Sequence, residues 1–237
     1  MDLHHYRELA PLFEYPGQDY PARVKAVCKL LEGRYPLAAV DLNAFAIALP
    51  SQNGAFPAPA LDEMQEIFTR SFDVQSITTL SVGYIVFGDD YKRGELLVNL
   101  NREHREAGVD CGSELSDHLP NVLRLIARWR DEEIVVEFVE EILHPALERM
   151  ISEFDTARME QRNRLYEKHF KTLIASSAER ATIFRMPLMA LLAVLTVDFG
   201  LSERRHQERE SDSLRSIGRE LDIETSEGRP AQSRSLP

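Results

Sequence analysis

The sequence predicts an all-α protein: one multi-helix, bundle-like domain over residues 1–201, then a charged, disordered tail over 202–237. Three observations carry this. Apolar residues recur at helical spacing along nearly all of the first segment. Glycine numbers only 11 among 237 residues, so turn-rich β architecture is disfavoured. Breaks at Pro16-Gly17, Gly33, Pro50, Gly88 and Gly108 punctuate the periodic stretches.

The elements follow in order. Tyr6, Leu9, Ala10 and Phe13 share one face of a first helix, which Tyr15-Pro16-Gly17 ends. Val24, Val27, Cys28 and Leu31 repeat the stripe, with Gly33 as C-terminal cap. Leu37, Val40, Ala44, Phe45 and Ala48 form a third core stripe, stopped by Pro50, and Ser51 to Pro59 reads as a loop. Leu61, Met64, Phe68 and Phe72 predict a fourth helix. Asp73 or Ser76 then caps one carrying Ile77, Leu80, Tyr84 and Phe87, although its Thr and Val content also permits a strand. Gly88 breaks it, and Tyr91 to Ala107 resumes until Gly108.

The clearest helix starts near Ser116 or Asp117, with Leu119, Val122, Leu123, Ile126 and Trp129 on one face and Pro120 in its first turn. Ile134 to Phe154 is helical but must kink or restart after Leu143, ahead of Pro145. Met159 to Ile174 is amphipathic, and Ile183 to Phe199 is apolar on most sides, as a buried helix would be. From Ser202 the chain has few large apolar residues and cannot offset the entropy of ordering, except for a short helix around Leu214 to Ile223.

Charge narrows the function classes. Against 28 Lys+Arg stand 39 Asp+Glu, a net charge of −11, which disfavours duplex DNA and anionic membranes as partners. Two cysteines, Cys28 and Cys111, make neither a four-cysteine zinc site nor a disulfide scaffold, so a reducing compartment is expected. The N-terminus lacks a signal peptide's apolar core. The longest apolar run, Met186 to Leu201, is interrupted by Asp198 and falls short of the ~20 residues that span a bilayer. The expectation is a soluble, cytoplasmic protein without nucleic acid or stable membrane insertion.

Catalytic signals are sparse. Glu141 and His144 have the Glu-x-x-His spacing of di-iron bundles, but no second copy exists; Glu167 and His169 lie two apart and diverge on a helix. His4 and His5 are adjacent and point apart. Cys28 sits on an apolar stripe, where a free cysteine usually packs. Neither a nucleophile elbow nor a phosphate loop is present. No catalytic residue, metal ligand set or cofactor is assigned, and the chain is not expected to be an enzyme.

One polar cluster stands out, Glu114-Leu-Ser-Asp117-His118-Leu119-Pro120. Ser116 or Asp117 can cap the helix, and acidic side chains suit its positive end. An imidazole there is less easily explained, because its protonated form is disfavoured. Capping and a functional pocket both remain open on residue chemistry.

This segment, GSELSDHLPNVLRLIA, follows Phe72-Asp73, the Tyr84 to Asp89 stretch that breaks at Gly88-Asp89, and the pair Arg93-Gly94. With Leu12-Phe13-Glu14-Tyr15-Pro16 upstream, the order resembles the nitrate reductase delta subunit family over residues up to about Phe154. These are molybdenum-enzyme assembly chaperones, related to those of trimethylamine-N-oxide and dimethylsulfoxide reductases. Ser116 stands where the family commonly has proline, which softens the turn.

The resemblance implies an all-helical, non-enzymatic chaperone. Its partner would be the catalytic (alpha) subunit of a molybdenum enzyme, including its N-terminal peptide. It would hold that subunit competent for molybdenum cofactor insertion before membrane attachment or export. It also implies that Glu114, Asp117, His118, Leu119 and Pro120, with Tyr84 and Arg93 as neighbours, line or hinge the client groove. The alternatives are a helical subunit retained in a mature respiratory complex and, third, a metal- or nucleotide-dependent enzyme hidden in the bundle.

Overall fold

The structure, a computed structural model, describes residues 1–155, 158–159 and 182–201. Every regular element among them is helical; extended pairing is limited to two isolated bridges, Gln52 with Ala55 and Ser81 with His118. Among the described residues, those from Met1 to Phe199 belong to one compact unit. The predicted tail helix and nearly all of Met159 to Ile174, with Glu167 and His169, lie outside the described residues.

The chain opens with α1 (Tyr6–Leu9), which tightens into a 3-10 turn over Ala10–Phe13 because Pro11 has no amide hydrogen to donate. Tyr6, Leu9, Ala10 and Phe13 are all buried, as their spacing predicts. α2 (Tyr20–Leu31) buries Val24, Val27, Cys28 and Leu31, and Gly33 follows it at φ +87°. α3 (Pro36–Ala48) follows, and α4 (Ala58–Phe72) begins two residues earlier than the loop prediction allowed, with Pro59 in its first turn.

Three sequence expectations fail here, each for a tertiary reason. The stripe predicted to pack α3 is mostly its outer face: Leu37, Val40, Ala44 and Ala48 are exposed, while Ala38, Ala39, Leu42 and Phe45 face the core. Because α3 is apolar on both sides, periodicity could not choose between them. The helix expected from Ile77 onward starts only at Val82. Residues 73–81 run largely irregular, burying Ile77 and Leu80, and neither Asp73 nor Ser76 opens a helix; Asp73 is the C-cap of α4 instead. Thirdly, Trp129 lies beyond the end of its helix, where its indole N–H donates to Glu103 (3.0 Å).

α5 (Val82–Phe87) ends at Gly88, with φ +62°. α6 (Tyr91–Ala107) is capped by Asp90, which accepts the Lys92 N–H (2.9 Å), and stops at left-handed Gly108. α7 (Leu119–Ile126) is nearly all buried. α8 (Glu132–Phe138) runs through a π turn, Val139–Leu143, into α9 (His144–Glu153). The widened turn gives the ring of Pro145 room that a regular α-helix would deny it. α10 (Arg185–Phe199) packs on α3 and α9.

Phe184, just before α10, lies within 5.3–5.7 Å of Phe45, Phe68 and Phe72 by ring centroid and joins three helices in one aromatic core. At the other end of α10, the buried Asp198 carboxylate accepts from Tyr35 (2.8 Å), Arg34 (2.9 Å) and Tyr6 (3.1 Å), and lies 2.8 Å from His5 Nε2. One charge on an apolar helix thus ties down the N-terminus and the α2–α3 connection. Among the described residues no helix is long and apolar enough to cross a membrane.

Candidate functional site

Two connecting segments build the site. The backbone over Leu80–Val82 lies against that over Asp117–Leu119: Val82 N–H donates to the Asp117 carbonyl (2.9 Å), and Leu119 N–H donates to Leu80 (2.8 Å). His118 is therefore held extended, at φ −68° and ψ 130°, immediately before α7. Pro120 needs no donor in that first turn, and Leu119 is fully buried.

In this placement the capping reading of Asp117 fails. Neither Ser116 nor Asp117 caps α7; the N-cap position belongs to His118, which makes no side-chain cap bond. Ser116 instead donates to the Leu97 carbonyl (3.4 Å). The Asp117 side chain is wholly buried and turns toward α6, where Oδ2 accepts from Arg93 Nε (3.0 Å). Its other oxygen, Oδ1, is buried without a hydrogen-bond partner. A buried carboxylate with one unsatisfied oxygen is costly to maintain.

Arg93 spans the site. Its guanidinium also lies 5.3 Å from the Tyr84 ring centroid, in cation–π contact, and Tyr84 is 42% exposed. Tyr84, Arg93 and Asp117 therefore form one chain of contacts from solvent to core. Glu114 lies at the exposed rim, close enough for its charge to act on His118. Burial pushes the His118 pKa down, against the opposing pull of Glu114, Asp117 and Asp73. Burial and Glu114 push the Asp73 carboxyl up, and His118 pulls it the other way. The imidazole thus faces three carboxylates from two parts of the chain.

A cleft of about 510 Å³ adjoins Tyr84, lined also by Ser76, Thr78, Thr79, Arg149 and Ser152. The Thr78 hydroxyl is buried there without a partner. Arg149 fixes one wall by donating to the carbonyls of Ile85 (3.0 Å) and Val86 (3.3 Å) at the end of α5. On α6 and ahead of α7, Tyr91, Val98 and Leu115 are exposed, and Leu96 and Leu97 are half-covered.

The structure brings Tyr84, Arg93, Asp117 and His118 together, with Leu119 and Pro120 beneath them. Gly83 was missed by the sequence reading. A Cβ there would meet Asp117 Oδ2 at 2.8 Å and Leu96 Cδ2 at 2.9 Å. Its signal was a glycine inside a helical segment, a residue that costs stability unless something approaches closely. Elsewhere, His144 Nδ1 lies 3.8 Å from Glu148, one turn ahead of it, rather than serving a ligand set with Glu141. Among the described residues no group of three or more His, Cys, Asp or Glu is placed to hold a metal ion. Both cysteines are free, and burial pushes each thiol's pKa up, away from the reactive thiolate.

No protein-family model matches the chain, and no curated protein matches it.

Proposed function

We propose that this chain is a system-specific chaperone for a molybdenum oxidoreductase of the nitrate reductase kind. It binds the catalytic subunit, including its N-terminal peptide, in the cytoplasm and assists molybdenum cofactor insertion before membrane attachment or export. Its role is binding rather than catalysis. The observation that carries this reading is the contact chain Tyr84–Arg93–Asp117 beside His118, built from the motif residues on which the family resemblance rests.

The chemistry suits a peptide ligand. Tyr84, Tyr91, Val98 and Leu115 offer apolar surface. A chain at −11 attracts a basic leader and repels anionic lipid. The buried Asp117–Arg93 pair sets the position of Tyr84 and of the His118 backbone, so it serves to shape the corner.

The test is capture from the native cell during anaerobic respiration, with this chain as bait, before and after molybdate starvation. The expected result is a large molybdenum-enzyme catalytic subunit, enriched when cofactor is scarce. His118→Ala is expected to reduce client maturation while leaving the thermal midpoint nearly unchanged. Co-purification with the finished enzyme at fixed stoichiometry, indifferent to molybdate, would instead make the chain a retained subunit.

A further inference from the structure

The cleft beside Tyr84 carries more hydrogen-bond donors than its own chain satisfies. Arg149 lines it from α9, and both of its hydrogen bonds, to the carbonyls of Ile85 and Val86, are made by Nη1. The Nε–Nη2 edge, the fork that matches two oxygens of a carboxylate or phosphate, has no acceptor among the described residues. Carbonyl partners hold the guanidinium in place but do not neutralise it. Glu153, one turn further along α9, is paired with Arg158. Those two charges cancel, so Arg149 is the uncompensated cation of the cleft, in a chain whose net charge is −11.

The hydroxyls in the lining are also short of acceptors. Thr79 Oγ1 accepts the Ser81 N–H (3.2 Å), which leaves its own hydrogen to donate. The Tyr84 hydroxyl makes no hydrogen bond among the described residues; the ring is held by Arg93 alone. Thr78 is the costly one. It is 6% exposed, and its buried hydroxyl has no partner, a penalty that a valine of the same shape would remove. Ser152 is the exception, since it donates to the Arg149 carbonyl (2.8 Å).

A cation and three hydroxyl donors call for an oxyanion, because a cationic or purely apolar ligand would leave every one of them unmet. The volume, about 510 Å³, exceeds what inorganic phosphate needs, and Ile77, Ile85 and the Tyr84 ring supply an apolar wall. We infer that this cleft binds a small organic oxyanion, a carboxylate or phosphate on a flat apolar body. The Nε–Nη2 edge of Arg149 and the hydroxyls of Thr78, Thr79 and Tyr84 take the oxygens, and the body lies on the apolar wall. The net negative charge opposes anions at a distance, but beyond about 8 Å it is screened at physiological salt and the contact donors decide. The inference needs only the cleft and does not rest on the chaperone reading.

The test titrates the full chain at about 0.15 M salt, following phenyl phosphate and inorganic phosphate by phosphorus NMR, and benzoate and benzylamine by ligand-observed proton NMR. Phenyl phosphate is expected to bind saturably and more tightly than inorganic phosphate, benzoate to compete with it, and benzylamine not to bind. Arg149→Lys keeps the charge but loses the fork, and should weaken phenyl phosphate about ten-fold. Tyr84→Phe and Thr78→Val each remove one hydroxyl and keep the shape, and each should weaken it by about five-fold. Thr78→Val should nevertheless melt at or above the wild-type midpoint, so binding and stability move in opposite directions. These two variants leave the Arg149 bonds to α5 intact and keep the test decisive if Arg149→Lys does not fold. No saturable binding of phenyl phosphate would overturn the proposal, as would wild-type affinity in the variants. So would benzylamine competing as well as benzoate, which reduces the site to its apolar wall, or a lowered midpoint in Thr78→Val, which assigns that hydroxyl to the fold. No client enters the assay, so its failure is separable from a failed capture of a molybdenum enzyme.

Discussion

Gly83 and Asp117 are packed so closely that a methyl group on residue 83 would sit 2.8 Å from the Asp117 carboxylate. Glycine there lets a buried acid, the Arg93 side chain and Leu96 share one small volume. Gly83→Ala is expected to destabilise the fold by about 1–3 kcal/mol through overpacking, despite alanine's better helix propensity. Urea unfolding checks the sign. A stabilised Gly83→Ala would show that Asp117 can move at no cost.

The Arg93–Asp117 pair is asymmetric, with the Arg93 side chain 19% exposed and that of Asp117 fully buried. Arg93→Ala leaves a buried charge without a counterion and should cost about 3–5 kcal/mol. Asp117→Ala should cost less, because Arg93 can turn toward water. A double-mutant cycle in urea is expected to show the two changes to be strongly less than additive.

His118 links this corner to pH. Its folded pKa lies below the ordinary value near 6.5, chiefly through burial. The unfolded chain therefore takes up the proton more readily, so stability rises with pH across this window. The contribution is complete above pH about 6.5 and is lost as pH falls through the folded value. His118→Gln should flatten the stability profile below neutrality. Asp73→Asn should move the wild-type inflection to lower pH, since that carboxylate pulls the imidazole up. Chemical denaturation at a series of pH values reads both effects.

Asp198 behaves oppositely in type. Burial alone would push its carboxyl up, but hydrogen bonds from His5, Tyr35 and Tyr6, with the charge on His5, hold it below the usual carboxylate range. Its stabilisation is present above the ordinary aspartate value and is lost as pH falls through the folded one. Asp198→Ala should cost about 3 kcal/mol or more, because buried groups at the N-terminus and in the α2–α3 connection lose their shared acceptor. Hydrogen exchange should show α1 and the start of α3 losing protection together. Loss confined to α10 would mean the N-terminus is held by its apolar contacts alone.

Much of this was legible in the chain because helix signals are local. The stops at Gly33, Pro50, Gly88 and Gly108 rest on backbone freedom or a missing donor at one residue. The break before Pro145 was readable for the same reason, although not that it would be a π turn. The site residues Tyr84, Arg93, Asp117 and His118 were also nameable, but not their arrangement. A capping role for Asp117 was reasonable from its place before α7. It failed because Arg93, from another helix, offered the carboxylate a stronger partner.

The sequence by itself determined the all-helical class, most element boundaries and the net acidity, since each follows from spacing, single-residue backbone chemistry or a count. Tertiary structure alone decided which side of α3 is buried, where Asp117 points and what surrounds Asp198. The physical reason is the same in all three. Periodicity selects a face only when the two faces differ in polarity, and α3 is apolar on both. A buried carboxylate, likewise, is defined by the donors that reach it, and those of Asp117 and Asp198 come from distant parts of the chain.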